Sequence, residues 1–180
     1  MSIHYISPDS LRRAKRIKLV VFDVDGTLTN GLSYYGPDGE LLKAFHAFDG
    51  MGLNLLHCVG VRTGIMTTSR VPSVEKRAKD LHIRYVMQEV EDKTKALTAL
   101  LRKAHLRADA VAFMGDDLVD IPVLRRCGFA AAPMDAPEEV RRITHFISAS
   151  PAGVGAAREV AEFILLAQDK LERAMKAQGR

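Results

Sequence analysis

The sequence predicts an α/β fold, a doubly wound and mainly parallel sheet, and three observations carry that prediction. Short apolar runs alternate along the chain with segments of helical period, the pattern of βαβ crossovers that cover both faces of a parallel sheet. Runs such as LVVF and VAFM are continuously apolar, as strands buried on both faces are. Polar residues gather directly after four of the strand candidates, where open α/β sheets bind ligands beyond the carboxyl ends of their strands.

Each element follows from local pattern. Ser7-Pro8 starts a helix after a short leader, with a hydroxyl to cap it and proline fitted to its first turn. Strands are expected at Lys18 to Val24, Thr63 to Thr67, Tyr85 to Met87, Ala110 to Met114, Phe129 to Ala132 and Phe146 to Ser148. Helices are expected at Met51 to Val59, Val71 to Leu81, Lys93 to His105, Leu118 to Arg125 and Ala136 to Arg142, with one long final helix from Val154 to Lys176. The last residues, MKAQGR, are expected to fray. One segment breaks the alternation. Asn30 to Phe48 holds an aromatic pair, a Gly-Pro-Asp-Gly turn and an apolar run, so it reads as a β-hairpin.

The chain of 180 residues suits one domain, residues 1–180, with no linker or repeat. At 47% hydrophobic and 27% charged residues, the composition is that of a soluble globular protein. No apolar run reaches the roughly 18 residues of a membrane span, and no secretory signal precedes the first helix, so the expected location is the cytoplasm. Cys58 and Cys127 lie in apolar, helix-like contexts outside any CxxC, which reads as two reduced thiols. The net charge of +4 is spread out, and its densest run, Arg12 to Lys18, has no interleaved aromatics. That argues against nucleic acid and for attraction of a small anionic substrate.

Four strand ends carry the chemistry. The first reads Asp23-Val24-Asp25-Gly26-Thr27. Period two turns Asp23 and Asp25 the same way, Gly26 permits a turn, and Thr27 can meet an anion. Carboxylates this close need a cation, a split of protonation states, or both, and the split would give one nucleophile and one general acid/base. At the second end, Thr67-Thr68-Ser69-Arg70 offers hydroxyls before a helix, either an anion site or a plain N-cap. At the third, Lys93 opens a helix although the dipole prefers anions there, so it either reaches across the crevice or stays solvated. The fourth, Gly115-Asp116-Asp117-Leu118-Val119-Asp120, sets three acids within five residues, a density that suits Mg²⁺.

In this order the four ends resemble the motifs of the haloacid dehalogenase superfamily of phosphohydrolases, over Lys18 to Ile147. The resemblance implies that Asp23 is the nucleophile, forming an aspartyl-phosphate, and that Asp25 protonates the leaving oxygen and then activates water. It implies Mg²⁺ held by Asp23, Asp116 and the backbone carbonyl of Asp25, with Asp117 or Asp120 supporting the site and Thr68 and Lys93 holding the phosphoryl group. The superfamily usually shields its site with an inserted cap. Here 42 residues separate Asp25 from Thr68 and 24 separate Thr68 from Lys93, too few for one. An open site calls for a large substrate or cover from another subunit. Leu32, Tyr34, Tyr35, Leu41, Phe45 and Phe48 exceed what one ribbon buries, so the hairpin either packs on copies of itself or folds back.

The segments DVDGTLTNG, Lys43 to Leu53, GDDLVDIPVL and Gly153 to Val160 narrow the resemblance to the 3-deoxy-D-manno-octulosonate 8-phosphate phosphatases and their sialic-acid-pathway relatives. That group implies a capless homotetramer with hairpins in a central barrel, a role in lipopolysaccharide biosynthesis, and a keto-acid sugar phosphate as substrate. Arg158 would then be a cation offered across the interface, while Arg70, Ser69 and Thr27 would face substrate. Three positions depart from the group: Ser69 and Ala152 stand where glycine is common in substrate-facing loops, and His82 where glycine is frequent. The expected activity is therefore Mg²⁺-dependent hydrolysis of the eight-carbon sugar-acid phosphate. The alternatives are a nine-carbon nonulosonate 9-phosphate phosphatase, a phosphoacceptor receiver module and a regulatory domain with a dead site.

Overall fold

The computed structural model describes residues 7–37 and 39–179, with residues 40 and 41 described by backbone alone. The leader (1–6), residue 38 of the hairpin turn and the side chain expected to be apolar at 41 lie outside that description. Ser7 caps α1 (Pro8–Ala14), its Oγ accepting from the Ser10 amide at 3.0 Å, and proline takes the first helical position. There follow β1 (Leu19–Phe22), the ribbon strands β2 (Tyr34–Gly36) and β3 (Gly39–Leu42), α2 (Ala47–Cys58), β4 (Arg62–Met66), α3 (Pro72–Asp80) and β5 (Tyr85–Met87). The second half runs α4 (Lys93–Ala104), β6 (Val111–Met114), α5 (Ile121–Leu124), β7 (Phe129–Ala132), α6 (Glu138–Arg141), β8 (Phe146–Ile147), α7 (Ala156–Ala167) and α8 (Leu171–Gln178).

Six strands form one sheet in the order β5-β4-β1-β6-β7-β8, every pairing parallel. The predicted doubly wound α/β sheet is thus the observed one. Period two sorts β1 between two cores. Val20 and Phe22 face the layer of α2, α7 and α8, with Leu53, Leu56, Val160 and Ile164. Leu19 and Val21 face the opposite layer, with Leu97, Leu100, Val123 and Leu124. The chain fills the sheet outward from β1 in one direction and then returns to fill the other side from β6. The crevice therefore opens where β1 meets β6, at the reversal of strand order.

The ribbon is antiparallel and stands as its own two-stranded sheet, with an irregular register between Tyr34 and Tyr35. Leu32, Tyr34, Tyr35, Leu42 and Phe48 are all exposed, whereas Phe45 packs against the core.

Two helix expectations need correction. The long C-terminal helix is broken after Ala167, because Asp169 takes a left-handed φ of 56° and the side chain of Gln168 turns back to donate to Ala14 O (3.1 Å) and Ile17 O (2.8 Å). Both pieces share one hydrophobic period, so nothing local marks the break; the Gln168 contacts are tertiary. The helix expected at Leu118 to Arg125 is a 3-10 turn, Leu118–Asp120, followed by the short α5, since Asp120 turns inward to the site. No helix among the described residues is long and apolar enough to cross a membrane.

Candidate active site

Parallel register assembles the site. Phe22 pairs with Ile65 on one side and Met114 on the other, and the Asp23 amide donates to Met114 O at 2.9 Å. Asp23 thereby emerges beside Gly115 and Asp116. The chain then turns at once, because the Val24 carbonyl accepts from the amides of Thr27 (3.3 Å), Leu28 (3.0 Å) and Thr29 (2.9 Å). Gly26 has φ +81°, and a Cβ there would sit 2.1 Å from Asp116 Oδ2. Both the left-handed turn and the close approach of Asp116 require glycine. Thr27, fully buried, donates its hydroxyl to Asp116 Oδ1 at 2.9 Å.

Lys93 closes the other side. Asp92 caps α4, accepting from the amides of Thr94 and Lys95 at 2.9 Å each. This leaves Lys93 at the first turn, pointing inward: Nζ lies 2.6 Å from Asp23 Oδ1 and 2.6 Å from Asp120 Oδ1 and 5.9 Å from the centre of the Phe113 ring. Asp120, 0% exposed, uses its other oxygen to accept from the amides of Asp116 (3.0 Å) and Asp117 (3.3 Å). Asp117 caps the 3-10 turn, accepting from the Leu118 amide at 2.6 Å. Of the two candidates for support, Asp120 does the supporting.

The charges do not balance within this cluster. Burial pushes Asp23 up to about 7, against the pull of Lys93 and with the push of Asp120. Burial also raises Asp116 to about 7, reinforced by repulsion from Asp23. Lys93 is disfavoured by its burial, yet Asp23 and Asp120 hold it above its ordinary value. One oxygen from each of Asp23, Asp116 and Asp120 lies within 4.8 Å of the others, a hard-oxygen set of the kind that suits Mg²⁺. Within that set Asp120 has both oxygens engaged, by Lys93 and by two amides, whereas Asp23 meets Lys93 through Oδ1 alone.

Asp25 sits apart from this cluster. Its Oδ1 lies 2.5 Å from Lys43 Nζ, and its Oδ2 accepts from the Ser69 hydroxyl at 2.7 Å. Thr68 is exposed on the loop after β4, and Arg70 pairs with Glu89 at 3.2 Å in the open. Arg158 lies on α7 and pairs with Glu162 at 2.5 Å; it is not brought into the Asp23 cluster. Lys43 was not legible as a site residue. It opens the Lys43 to Leu53 segment of the family resemblance and stands as one lysine between Leu42 and Ala44 in an otherwise apolar stretch, but neither signal points to Asp25. Asp49 was also missed: buried at the start of α2, it accepts from the amides of Gly155 and Arg158 at 3.1 Å each, capping the bare first turn of α7. Burial raises its carboxyl against those hydrogen bonds.

Comparison with known proteins agrees with this geometry. Residues 75–160 match the model of a haloacid dehalogenase-like hydrolase family. Over 169 residues the chain is 40% identical to the 3-deoxy-D-manno-octulosonate 8-phosphate phosphatase KdsC of Yersinia pestis, covering 94% of this chain and 90% of that one. The Moraxella catarrhalis phosphatase of the same name, solved in complex with magnesium ion, phosphate ion and a KDO molecule, superposes with TM-score 0.90 at 36% identity, covering 96% and 98% of the two chains. The cobalt-bound phosphatase of Haemophilus influenzae superposes with TM-score 0.88 at 34% identity over 93% and 98%. With its strand-end carboxylates, its buried lysine and its uncapped sheet all accounted for, the chain belongs to the 3-deoxy-D-manno-octulosonate 8-phosphate phosphatase family of haloacid dehalogenase-like hydrolases.

Proposed function

We propose that this chain, acting over residues 1–180 as one hydrolase unit, is a Mg²⁺-dependent phosphatase that releases phosphate from 3-deoxy-D-manno-octulosonate 8-phosphate. The observation that carries the reading is Asp23, held at the β1–β6 crevice by Lys93 and flanked by Asp116, with Asp25 two residues on. Lys93 fixes Asp23 Oδ1, which sets the direction of the second oxygen as nucleophile. That oxygen bonds to phosphorus as the bond from phosphorus to the sugar oxygen breaks, and Asp25 delivers a proton to the departing oxygen. Asp25 then takes a proton from water, whose oxygen attacks phosphorus and releases the Asp23 carboxylate. Mg²⁺, held by Asp23, Asp116 and the Asp25 carbonyl, would supply positive charge against the phosphoryl oxygens and relieve the repulsion between the two acids.

Thr68 and Lys93 bind the phosphoryl group in this reading, and Thr27 keeps Asp116 in place. Arg70 and a neighbour's Arg158 supply cations for the sugar carboxylate. The exposed ribbon joins subunits into a homotetramer, with the enzyme working in the cytoplasm. The test is phosphate release with Mg²⁺ from the eight-carbon and nine-carbon sugar-acid phosphates side by side. The eight-carbon substrate should be preferred, Asp23→Asn should abolish release with the fold intact, and a chelator should do the same to the native chain. Undiminished turnover by Asp23→Asn, or preference for the nine-carbon ester, overturns the assignment.

A further inference from the structure

From the contacts of Asp25 we infer that Ser69 and Lys43 are positioning residues that together lock the Asp25 carboxyl in the orientation needed for proton delivery. The inference rests on the reading of Asp25 as the proton donor. The terminal torsion of an aspartate is broad and nearly two-fold, and the Asp25 side chain is 30% exposed, so burial alone does not fix its plane. Two donors on opposite oxygens do. Lys43, whose side chain is 1% exposed, holds Oδ1 from the exit of the ribbon. Ser69 holds Oδ2 from the loop after β4. That loop is itself pinned, since the Ser69 amide donates to Thr67 Oγ1 at 3.2 Å and the Ser69 carbonyl accepts from the Glu89 amide at 3.4 Å.

The two donors differ in kind. An ammonium group can only donate, so the oxygen it holds is not the one that carries a transferable proton. Oδ2 is therefore the oxygen left to pass a proton, and a hydroxyl, which both donates and accepts, can stay bonded to that oxygen before and after transfer. Ser69 has its hydroxyl committed to Asp25 and acts through it rather than on substrate.

Leaving-group dependence separates this role from substrate contact. An alkyl phosphate needs its leaving oxygen protonated, whereas p-nitrophenolate leaves with little help. With Mg²⁺ present, kcat/KM is measured on the sugar-acid phosphate and on p-nitrophenyl phosphate for the native chain, Asp25→Asn, Ser69→Ala, Ser69→Thr and Lys43→Met. Asp25→Asn should lose at least about a hundredfold more on the alkyl ester than on the aryl ester. Ser69→Ala should lose about tenfold on the alkyl ester and little on the aryl one. Its inhibition constant for inorganic phosphate should not change, and Ser69→Thr should recover most of the loss. Lys43→Met should show the same bias more strongly; if that variant does not fold, the Ser69 pair decides alone. Equal losses on both esters for Ser69→Ala, or weakened phosphate inhibition, overturn the positioning role while Asp25→Asn keeps its bias. Absence of bias in Asp25→Asn removes the proton-donor reading and the inference with it.

Discussion

Asp120→Asn is the substitution whose consequences the structure specifies most fully. Both oxygens of Asp120 only accept: one takes Lys93 Nζ, the other the amides of Asp116 and Asp117. Asparagine has one accepting oxygen and one NH₂, so whichever way it turns, an N–H faces a donor. If the oxygen stays with the two amides, the charge-assisted bond to Lys93 is lost, about 1.5–3 kcal/mol, and a donor is left unpaired in a fully buried place. Lys93 keeps Asp23, which holds the total near 3 kcal/mol rather than the larger cost of stranding a buried charge. For a chain of this length that is a drop of roughly 6–12 °C in Tm. With its anchor to Lys93 gone, the side chain that accepts from the Asp116 amide is held less firmly, so half-saturation by Mg²⁺ should rise by about ten- to a hundredfold, the usual cost of removing support behind a metal ligand, the role proposed for Asp116. Calorimetry of chelator-treated protein and a Mg²⁺ titration of phosphate release measure the two effects. A Tm within about 1 °C of the native chain with unchanged Mg²⁺ half-saturation would refute the reasoning.

Two further outcomes follow from the charges and the ribbon. In metal-free protein, Asp23 and Asp116 move from an ordinary 3.8 to about 7, so between those values the folded state holds more protons than the unfolded one. Their contribution to stability, full below pH 3.8, is lost as pH rises through about 7. The native chain minus Asp116→Asn, compared by urea midpoints with chelator across this window, should fall with pH, Mg²⁺ should flatten the curve, and a rising difference contradicts the sign. Replacing exposed Leu32 and Tyr35, the latter 74% exposed, by aspartate should convert an assembled protein to monomers in light scattering with the circular dichroism spectrum kept, whereas an unchanged mass rules the ribbon out as the contact.

The candidate site was legible wherever its residues follow a strand directly. Asp23, Asp25, Asp116 and Asp120 stand out as charges ending apolar runs, and Lys93 as a cation where a helix disfavours one. Their mutual placement then follows from strand order. Residues acting through space from elsewhere left weaker traces. Lys43 reaches Asp25 from a ribbon, and Ser69 looks like any hydroxyl before a helix until its partner is seen. Asp49 reads as an ordinary first-turn acid because the amides it caps lie more than a hundred residues further on. The break at Gln168 escaped for the same reason, its partners being the carbonyls of Ala14 and Ile17.

Those contacts also bear on how the chain is made. The core face of β1 carrying Val20 and Phe22 is covered by α7 and α8 together with α2, so two of its three covering helices are made more than a hundred residues after it, and both Asp49 and the end of α1 wait for partners beyond residue 154. Domains fold during synthesis as their parts emerge, but here the first strand keeps part of an apolar face open until α7 and α8 have been made. A chain cut short after β8 would hold every carboxylate of the site and still expose the part of that face that α7 and α8 cover, making premature termination a route to aggregation rather than to a smaller working enzyme.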